Sequence, residues 1–183
     1  MPVTPATEQF FVLTALGPDR PGLVAEVTKF LDAHGVNVED SRMAVLGAEF
    51  AIMMLISGSE ESVAKVAREA GDLEKLTGLT VSTKPTRSPE EHRKATVLPC
   101  LVTAEAIDRE GIVKAVSAAL HGLGINVVSL QSTAFNAPVT GTPLFRLEAR
   151  VDVPQGVTVT RLRQALEAVA LAENIDLDVR SLV

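Results

Sequence analysis

The chain of 183 residues has no tryptophan, no tyrosine and a single cysteine, Cys100. One cysteine cannot form an internal disulfide framework, which favours a reducing, cytoplasmic location. Aromatic residues make up only 3% of the chain, whereas apolar residues of all kinds reach 46%. The cores must therefore be mainly aliphatic, and this content of apolar residues argues against intrinsic disorder.

Long hydrophobic runs and an excess of positive charge are also missing. The longest uncharged apolar run, Phe50 to Ile56, is far shorter than the roughly 20 residues that a membrane-spanning helix needs. The first residues contain neither a basic segment nor an apolar one, so we expect no export signal. The formal net charge is −6, and no Trp or Tyr is present to stack on bases. We therefore expect contact with neither membrane nor nucleic acid.

What the sequence does contain is an internal repeat with an offset of 89 positions. The turn at residues 17–23 returns at 106–112, and Gly-Val-Asn-Val at 35–38 returns as Gly-Ile-Asn-Val at 124–127. The aligned pairs include Asp19 with Asp108, Arg20 with Arg109, Gly22 with Gly111 and Asn37 with Asn126. A repeat of this length is close to the size of a small domain.

The repeat predicts two domains, at residues 1–84 and 96–183. Residues 85–95 between them are polar and contain two prolines, which is typical of a linker. Each half has the order strand, helix, strand, strand, helix, strand. The economical α+β fold for this order is a ferredoxin-like βαββαβ unit, a four-stranded antiparallel sheet with both helices on one face.

Several local features can be predicted from this arrangement. We expect Asp19 to cap the first helix and Gly35 to end it in the left-handed conformation. We expect one second helix beginning at Ser59, and Cys100 as a small buried side chain. The second face of the sheet should carry apolar residues that need covering, by the other unit or by a second chain in a homodimer. These residues are Met43, Val45, Ile52, Met54 and Ile56.

Residues 17–24 read Gly-Pro-Asp-Arg-Pro-Gly-Leu-Val, and a 12-residue helix and then Gly-Val-Asn-Val follow them. This arrangement resembles the ACT domain, a small-molecule sensing module of amino-acid metabolism. Two tandem copies without a catalytic domain resemble the glycine cleavage system transcriptional repressor family. The segments at 41–51 and 142–148 support this resemblance, which covers nearly the whole chain. The first-copy motif is shared with the N-terminal region of formyltetrahydrofolate deformylase, whose hydrolase domain is missing here.

The resemblance implies an amino-acid site between the first strand–helix turn of one copy and the second strand of an adjacent copy. The implied ligand-binding residues are Asp19, Arg20, Gly22 and Asn37, with Asp108, Arg109, Gly111 and Asn126 in the second copy. Amides at a helix N-terminus hold a carboxylate well, and Asp or Asn oxygens accept from an ammonium group. Glu110 replaces Pro21 in the second turn and adds a negative charge there.

Structural roles are an alternative for every one of these residues. The aspartates could act only as helix caps, the glycines only in turns, and the asparagines only as loop hydrogen bonders. The arginines could be solvated or paired with a nearby carboxylate. No catalytic arrangement, metal-ligand spacing or phosphate-binding glycine loop is evident in the sequence. We therefore expect no enzyme activity, no cofactor and no metal site.

The resemblance implies a cytoplasmic, non-catalytic regulatory protein that senses a small amino acid, with glycine as the first candidate. Its partner would be a protein, such as a DNA-binding regulator of glycine cleavage. The alternative is a ligand-independent protein–protein interaction module in which both turns are purely structural.

Overall fold

The structure, a computed structural model, describes residues 8–92 and 96–183. Residues 1–7, at the start of the first predicted domain, lie outside the described residues, and so do residues 93–95 at the end of the predicted linker. The chain divides into two compact units, one on each side of residues 93–95.

Unit 1 has the order βαββαβ, with its second helix in two pieces. The strand order in its sheet is β2-β3-β1-β4, and all neighbouring strands are antiparallel. A short helix, α4, follows β4 within the same unit. The elements are β1 (Gln9–Pro18), α1 (Leu23–Ala33), β2 (Asn37–Leu46), β3 (Glu49–Gly58), α2 (Glu60–Arg68), α3 (Ala70–Thr77), β4 (Thr80–Thr86) and α4 (Pro89–His92).

Unit 2 repeats the same topology with one unbroken second helix. Its strand order, β6-β7-β5-β8, is the exact counterpart of that in unit 1. The prediction of two tandem ferredoxin-like units is therefore confirmed. The elements are β5 (Val97–Ile107), α5 (Ile112–Gly122), β6 (Asn126–Asn136), β7 (Pro143–Pro154), α6 (Val159–Glu173) and β8 (Asp176–Ser181).

Two boundaries in unit 1 differ from the sequence prediction. The second helix is broken at Glu69, whose φ of −96° and ψ of 12° interrupt the helical path between α2 and α3. Strand β4 continues two residues into the segment predicted as a linker, because Pro85 and Thr86 still pair with β1.

The core of unit 1 lies between the helices and one face of the sheet. Leu13, Val27 and Leu73 are fully buried there, together with Ile52, Met54 and Ile56 of β3. Placing those three β3 residues on the second face was therefore wrong, because the alternation of side chains along β3 directs them to the core. Met43 and Val45 were also wrongly placed, because they lie directly opposite Ile52 and the buried Phe50 and so share the core face. The exposed apolar residues of β2 and β3 are Met43, Val45, Leu46 and Met53.

The beginning of α1 also differs from the prediction. Asp19 does not cap the helix, because the N-cap position falls three residues later, at Gly22. Gly22 has a φ of 95° and Gly111 has a φ of 94°, values in the left-handed region that glycine adopts without strain. At the other end of α1, Gly35 takes the predicted left-handed conformation with a φ of 66°.

In unit 2, Cys100 is fully buried, as predicted. Burial raises the pKa of its thiol, because the thiolate would be poorly solvated there. Among the residues that the structure describes, no helix is both long enough and apolar enough to cross a membrane.

Candidate functional site

The predicted site residues of each repeat begin at a corner between the first strand and the first helix. We call residues 19–22 the first corner and residues 108–111 the second corner. The backbone N–H of Asp19 donates to Ala48 O at 2.9 Å, and that of Asp108 donates to Pro143 O at 2.9 Å. These bonds fix the first corner to the connection between β2 and β3 and the second corner to the first residue of β7, while the side chains of both aspartates remain exposed.

Each corner leads into a helix N-terminus that has no side-chain cap. Neither Gly22 nor Gly111 supplies a capping side chain, and no other described side chain caps these ends. The first helical hydrogen bonds run from Glu26 N to Gly22 O at 3.0 Å and from Ala115 N to Gly111 O at 2.9 Å. The preceding amides of each first turn have no intrahelical acceptor. Such amides, together with the helix dipole, favour an anionic ligand.

Arg20 anchors the first corner. Its guanidinium donates two hydrogen bonds to the carboxylate of Glu26, at 2.7 and 2.6 Å, and one to Thr77 O at 3.2 Å. The hydrogen bond with Glu26 raises the pKa of Arg20, and the same bond lowers the pKa of the Glu26 carboxyl. The arginine therefore joins the corner both to α1 and to the last residue of α3.

Arg109 makes a similar link in the second repeat. Its guanidinium donates to the Glu173 carboxylate at 2.6 Å and also to the Glu173 backbone carbonyl. The residue that aligns with Glu26 is Ala115, so the carboxylate partner comes from the end of α6 instead. Both arginines thus bind the end of the helix that precedes the last strand of their unit. They are paired with carboxylates, which was one of the two alternatives left open by the sequence.

The asparagines lie at the opposite end of each sheet from the corners. Asn37 pairs with Ser57, which pairs with Phe10 near the start of β1, whereas Asp19 follows the last residue of β1. Eight residues of strand separate Phe10 from Pro18, which corresponds to roughly 26 Å. In the same way, Asn126 pairs with Asp152 of β7, which pairs with Pro99 near the start of β5. Neither asparagine is therefore close to the corner of its own unit.

Asn37 belongs instead to a polar cluster around Glu39. The Asn37 side-chain amide donates to Glu39 Oε1 at 2.7 Å, and the buried Ser57 hydroxyl donates to the same oxygen at 2.6 Å. The hydrogen bond from Ser57, and next that from Asn37, lowers the pKa of the Glu39 carboxyl. The cluster therefore holds a negative charge in a fixed position.

Glu39 was not predicted from the sequence. A β-bulge between Val38 and Asp40 interrupts the register of β2 with β3, and Glu39 is the extra residue. Unit 2 has a bulge at the same point, but its extra residue is Val128. The acidic residue beside Asn37 was visible in the sequence. Its contact with Ser57 was not, because the bulge changes which residues share a face.

The Glu39 cluster borders an open depression on unit 1 of about 1170 Å³. Val12 and Leu55 contribute apolar surface, while Glu39 and Asp40 supply negative charge and Lys84 and Arg87 supply positive charge. Groups of both signs around one depression suit a zwitterion, because each charged end of such a ligand finds an opposite charge.

Comparisons with known proteins agree with this architecture. The ACT domain family matches residues 9–84. The chain is 27% identical to the glycine cleavage system transcriptional repressor of Escherichia coli over 176 residues, covering 94% of this chain and 90% of that protein. A crystal structure of an unknown protein from Galdieria sulphuraria matches with a TM-score of 0.78 and 32% identity, covering 96% of this chain and 99% of that one. A structure provisionally assigned as a glycine cleavage system transcriptional repressor matches with a TM-score of 0.69 and 27% identity, covering 96% and 98%.

Unit 1 matches the ACT domain over residues 9–84, and unit 2 has the same strand order with the same glycine corner and uncapped helix. Along nearly its whole length, this chain resembles the glycine cleavage system transcriptional repressor family.

Proposed function

We propose that this chain is a non-catalytic, cytoplasmic regulatory protein that senses a small amino acid, with glycine as the first candidate. It would pass its state to a protein partner, which could be a DNA-binding regulator of glycine cleavage. The observation that carries the proposal is the repeated corner. Both units present uncapped helix amides beside an exposed aspartate, and in both an arginine holds the corner in place.

The chemistry of the corner suits one half of an amino acid. The free amides of the α1 N-terminus would receive the ligand carboxylate. Arg20 already makes a two-point contact with Glu26, so we assign it to positioning the corner. Asp19 would accept from the ligand ammonium group. The same assignments hold for Asp108 and Arg109 in the second corner.

The other half of the site would come from another ACT copy. Asn37 lies far from the corner of its own unit, so it could meet a ligand only at the corner of another copy. In that arrangement Glu39 would give the ammonium group a second carboxylate. Asn126 lacks such a neighbour because Val128 occupies the bulge, and we therefore propose that sites containing Asn37 bind more tightly.

The size of the ligand limits the affinity. A five-atom ligand at a ceiling of about 1.5 kcal/mol per heavy atom gains at most about 7.5 kcal/mol, so Kd is expected to be micromolar or weaker. Such an affinity suits an abundant metabolite. Coupling of ligand binding to partner binding would typically be about 1–3 kcal/mol.

Calorimetry with a panel of amino acids tests the proposal. We expect glycine or another small amino acid to bind to the wild type, and Asp19→Ala with Asp108→Ala to weaken that binding. Asp32→Ala, at an exposed aspartate of α1 outside both corners, is the matched control. If no amino acid binds at millimolar concentration, the sensing proposal is wrong.

A ligand-independent interaction module is the second candidate. The observation that favours it is the second face of the unit 1 sheet, where the register places Leu16, Leu46 and Met53, each at least half exposed. This candidate predicts that partner binding is unchanged by amino acids and is weakened by Leu46→Ser or Met53→Ser. The sensing proposal predicts a change in partner affinity when the amino acid is added.

A further inference from the structure

Unit 2 contains a cavity that the proposed amino-acid site does not use. It lies where the end of α6 meets the ends of β5 and β6 and the starts of β7 and β8, and its volume is about 650 Å³. This is within the range of small-molecule sites, roughly 300–1,000 Å³. None of the predicted site residues is among its lining residues.

Most of the residues that line the cavity are apolar in type, although polar atoms form the larger part of its exposed surface. Phe135, Leu144 and Phe145 line one part, and Ile107 and Leu171 line another. Leu171 is 86% exposed and Ile107 is 58% exposed, so both leave apolar surface in contact with water. An apolar ligand would cover that surface, and its removal from water would favour binding.

Two carboxylates stand together at the rim. Glu105 and Asp176 are directly opposite each other in the antiparallel pair of β5 and β8, and both line the cavity. Like charges in directly opposed positions destabilise a sheet. Arg146 pairs with Glu105 at 2.6 Å, but the structure shows no partner for the Asp176 side chain among the described residues.

Unit 1 shows that the fold does not require this acidic pair. The register position occupied by Glu105 and Asp176 in unit 2 is occupied by Leu16 and Thr80 in unit 1. The two units have the same strand order, although only unit 2 has the acidic pair at this position. A local arrangement that costs stability and is not needed for folding is expected at functional sites.

The nature of the charges limits the ligand to a cation. Within residues 8–92 and 96–183, no group of three or more acidic, histidine or cysteine side chains is arranged to hold a metal ion. The exposed apolar side chains among the lining residues also suit an organic group better than a hydrated ion. Phe135 adds an aromatic face, and the Arg146 guanidinium carbon already lies 5.3 Å from the centre of its ring.

We propose that this cavity binds a small organic cation, a primary amine with an apolar body. The ammonium group would lie between Asp176 and Glu105, and the apolar body would cover Ile107 and Leu171. The cavity adjoins the second corner but none of residues 108–111 lines it, so the proposal does not depend on amino-acid sensing. Loss of binding at the corner and loss of binding in the cavity can be measured independently.

The experiment uses 2-phenylethylamine as the probe and the full chain labelled with ¹⁵N. We expect the amine to shift the backbone amide signals of Phe135, Leu171 and Leu177, which line the cavity and are distant in sequence from the second corner. We expect 3-phenylpropanoate, which has a similar apolar body and the opposite charge, to leave them unchanged. Asp176→Asn should weaken amine binding about threefold to fivefold, and Asp176→Asn with Glu105→Gln about tenfold or more.

Glu61→Gln is the matched control, because Glu61 is an exposed carboxylate on α2 of unit 1, and we expect it to leave amine binding unchanged. Asp176→Asn relieves a like-charge contact, and the exposed Arg146–Glu105 pair that Glu105→Gln removes contributes little to stability, so both variants should fold like the wild type. The proposal is overturned if the amine does not bind, if the propanoate binds equally well, or if the double variant binds the amine like the wild type. It is also overturned if the shifted signals map to residues 108–111 instead of the cavity.

Discussion

Asp19 and Asn37 lie at opposite ends of one four-stranded sheet, although both are predicted to bind the same ligand. The separation follows from topology, because β1 and β2 are both antiparallel to β3 and therefore run in the same direction. Asp19 follows the end of β1, whereas Asn37 begins β2. A site that uses both residue types therefore requires two copies of the unit.

Paired substitutions test the requirement for two copies. If every site takes a corner from one copy and an asparagine from another, Asp19→Ala combined with Asn37→Ala and Asp19→Ala combined with Asn126→Ala must differ. One of these double variants loses the corner and the asparagine of the same site, so the second site still binds the ligand. The remaining double variant loses the corner of one site and the asparagine of the second, so both sites are weakened. Calorimetric stoichiometry measures this difference, and equal stoichiometry in the two double variants would contradict the two-copy site.

Glycine at position 22 is required by the backbone. With a φ of 95°, Gly22→Ala should lower the free energy of unfolding by about 1–2 kcal/mol, because a Cβ is strained in the left-handed region. Gly71→Ala is the matched control, since Gly71 lies within α3, has no positive φ and leaves open space for a Cβ. That control should raise stability by about 0.5–1 kcal/mol. Urea denaturation measures both, and equal effects would contradict the backbone argument.

Stability should fall in acid partly through Glu39. Its pKa is lowered in the folded state by hydrogen bonds from Ser57 and Asn37. The contribution is therefore present above the ordinary glutamate pKa of about 4.3 and is lost as the pH falls through the lower folded value. Glu39→Gln should make the melting temperature less dependent on pH between about pH 6 and pH 3. Glu61→Gln should leave this dependence unchanged. If the curves of melting temperature against pH are parallel for the wild type and both variants, the role of Glu39 is refuted.

His34 links the end of α1 to the junction of α2 and α3. Its Nδ1 is 2.7 Å from Phe30 O, its Nε2 is 2.8 Å from the Glu69 carboxylate, and its side chain is 8% exposed. We expect His34→Ala to lower the free energy of unfolding by about 1–3 kcal/mol, because two hydrogen bonds and buried contact area are lost. His121→Ala, at an exposed histidine in the last turn of α5, should change stability much less. Similar losses from the two substitutions would show that the His34 contacts contribute little.

Much of the fold could be predicted because it depends on local pattern. The repeat predicted two units of the same kind, and the apolar runs predicted the order of strands and helices. Gly35 ended α1 as expected. The cap at Asp19 failed because the helix starts only after a left-handed glycine, a backbone choice that an aspartate at the right spacing does not reveal.

The sequence by itself determined that two βαββαβ units are present, that their cores are aliphatic and that each has an Asp-Arg-x-Gly corner. These properties depend on residue type and spacing along the chain. Only the tertiary structure decided that Asn37 lies far from Asp19, that Glu39 meets Ser57, and that Glu105 and Asp176 share one rim. Strand pairing, register and bulges join residues that are distant in sequence, and no local pattern records which residues they bring together.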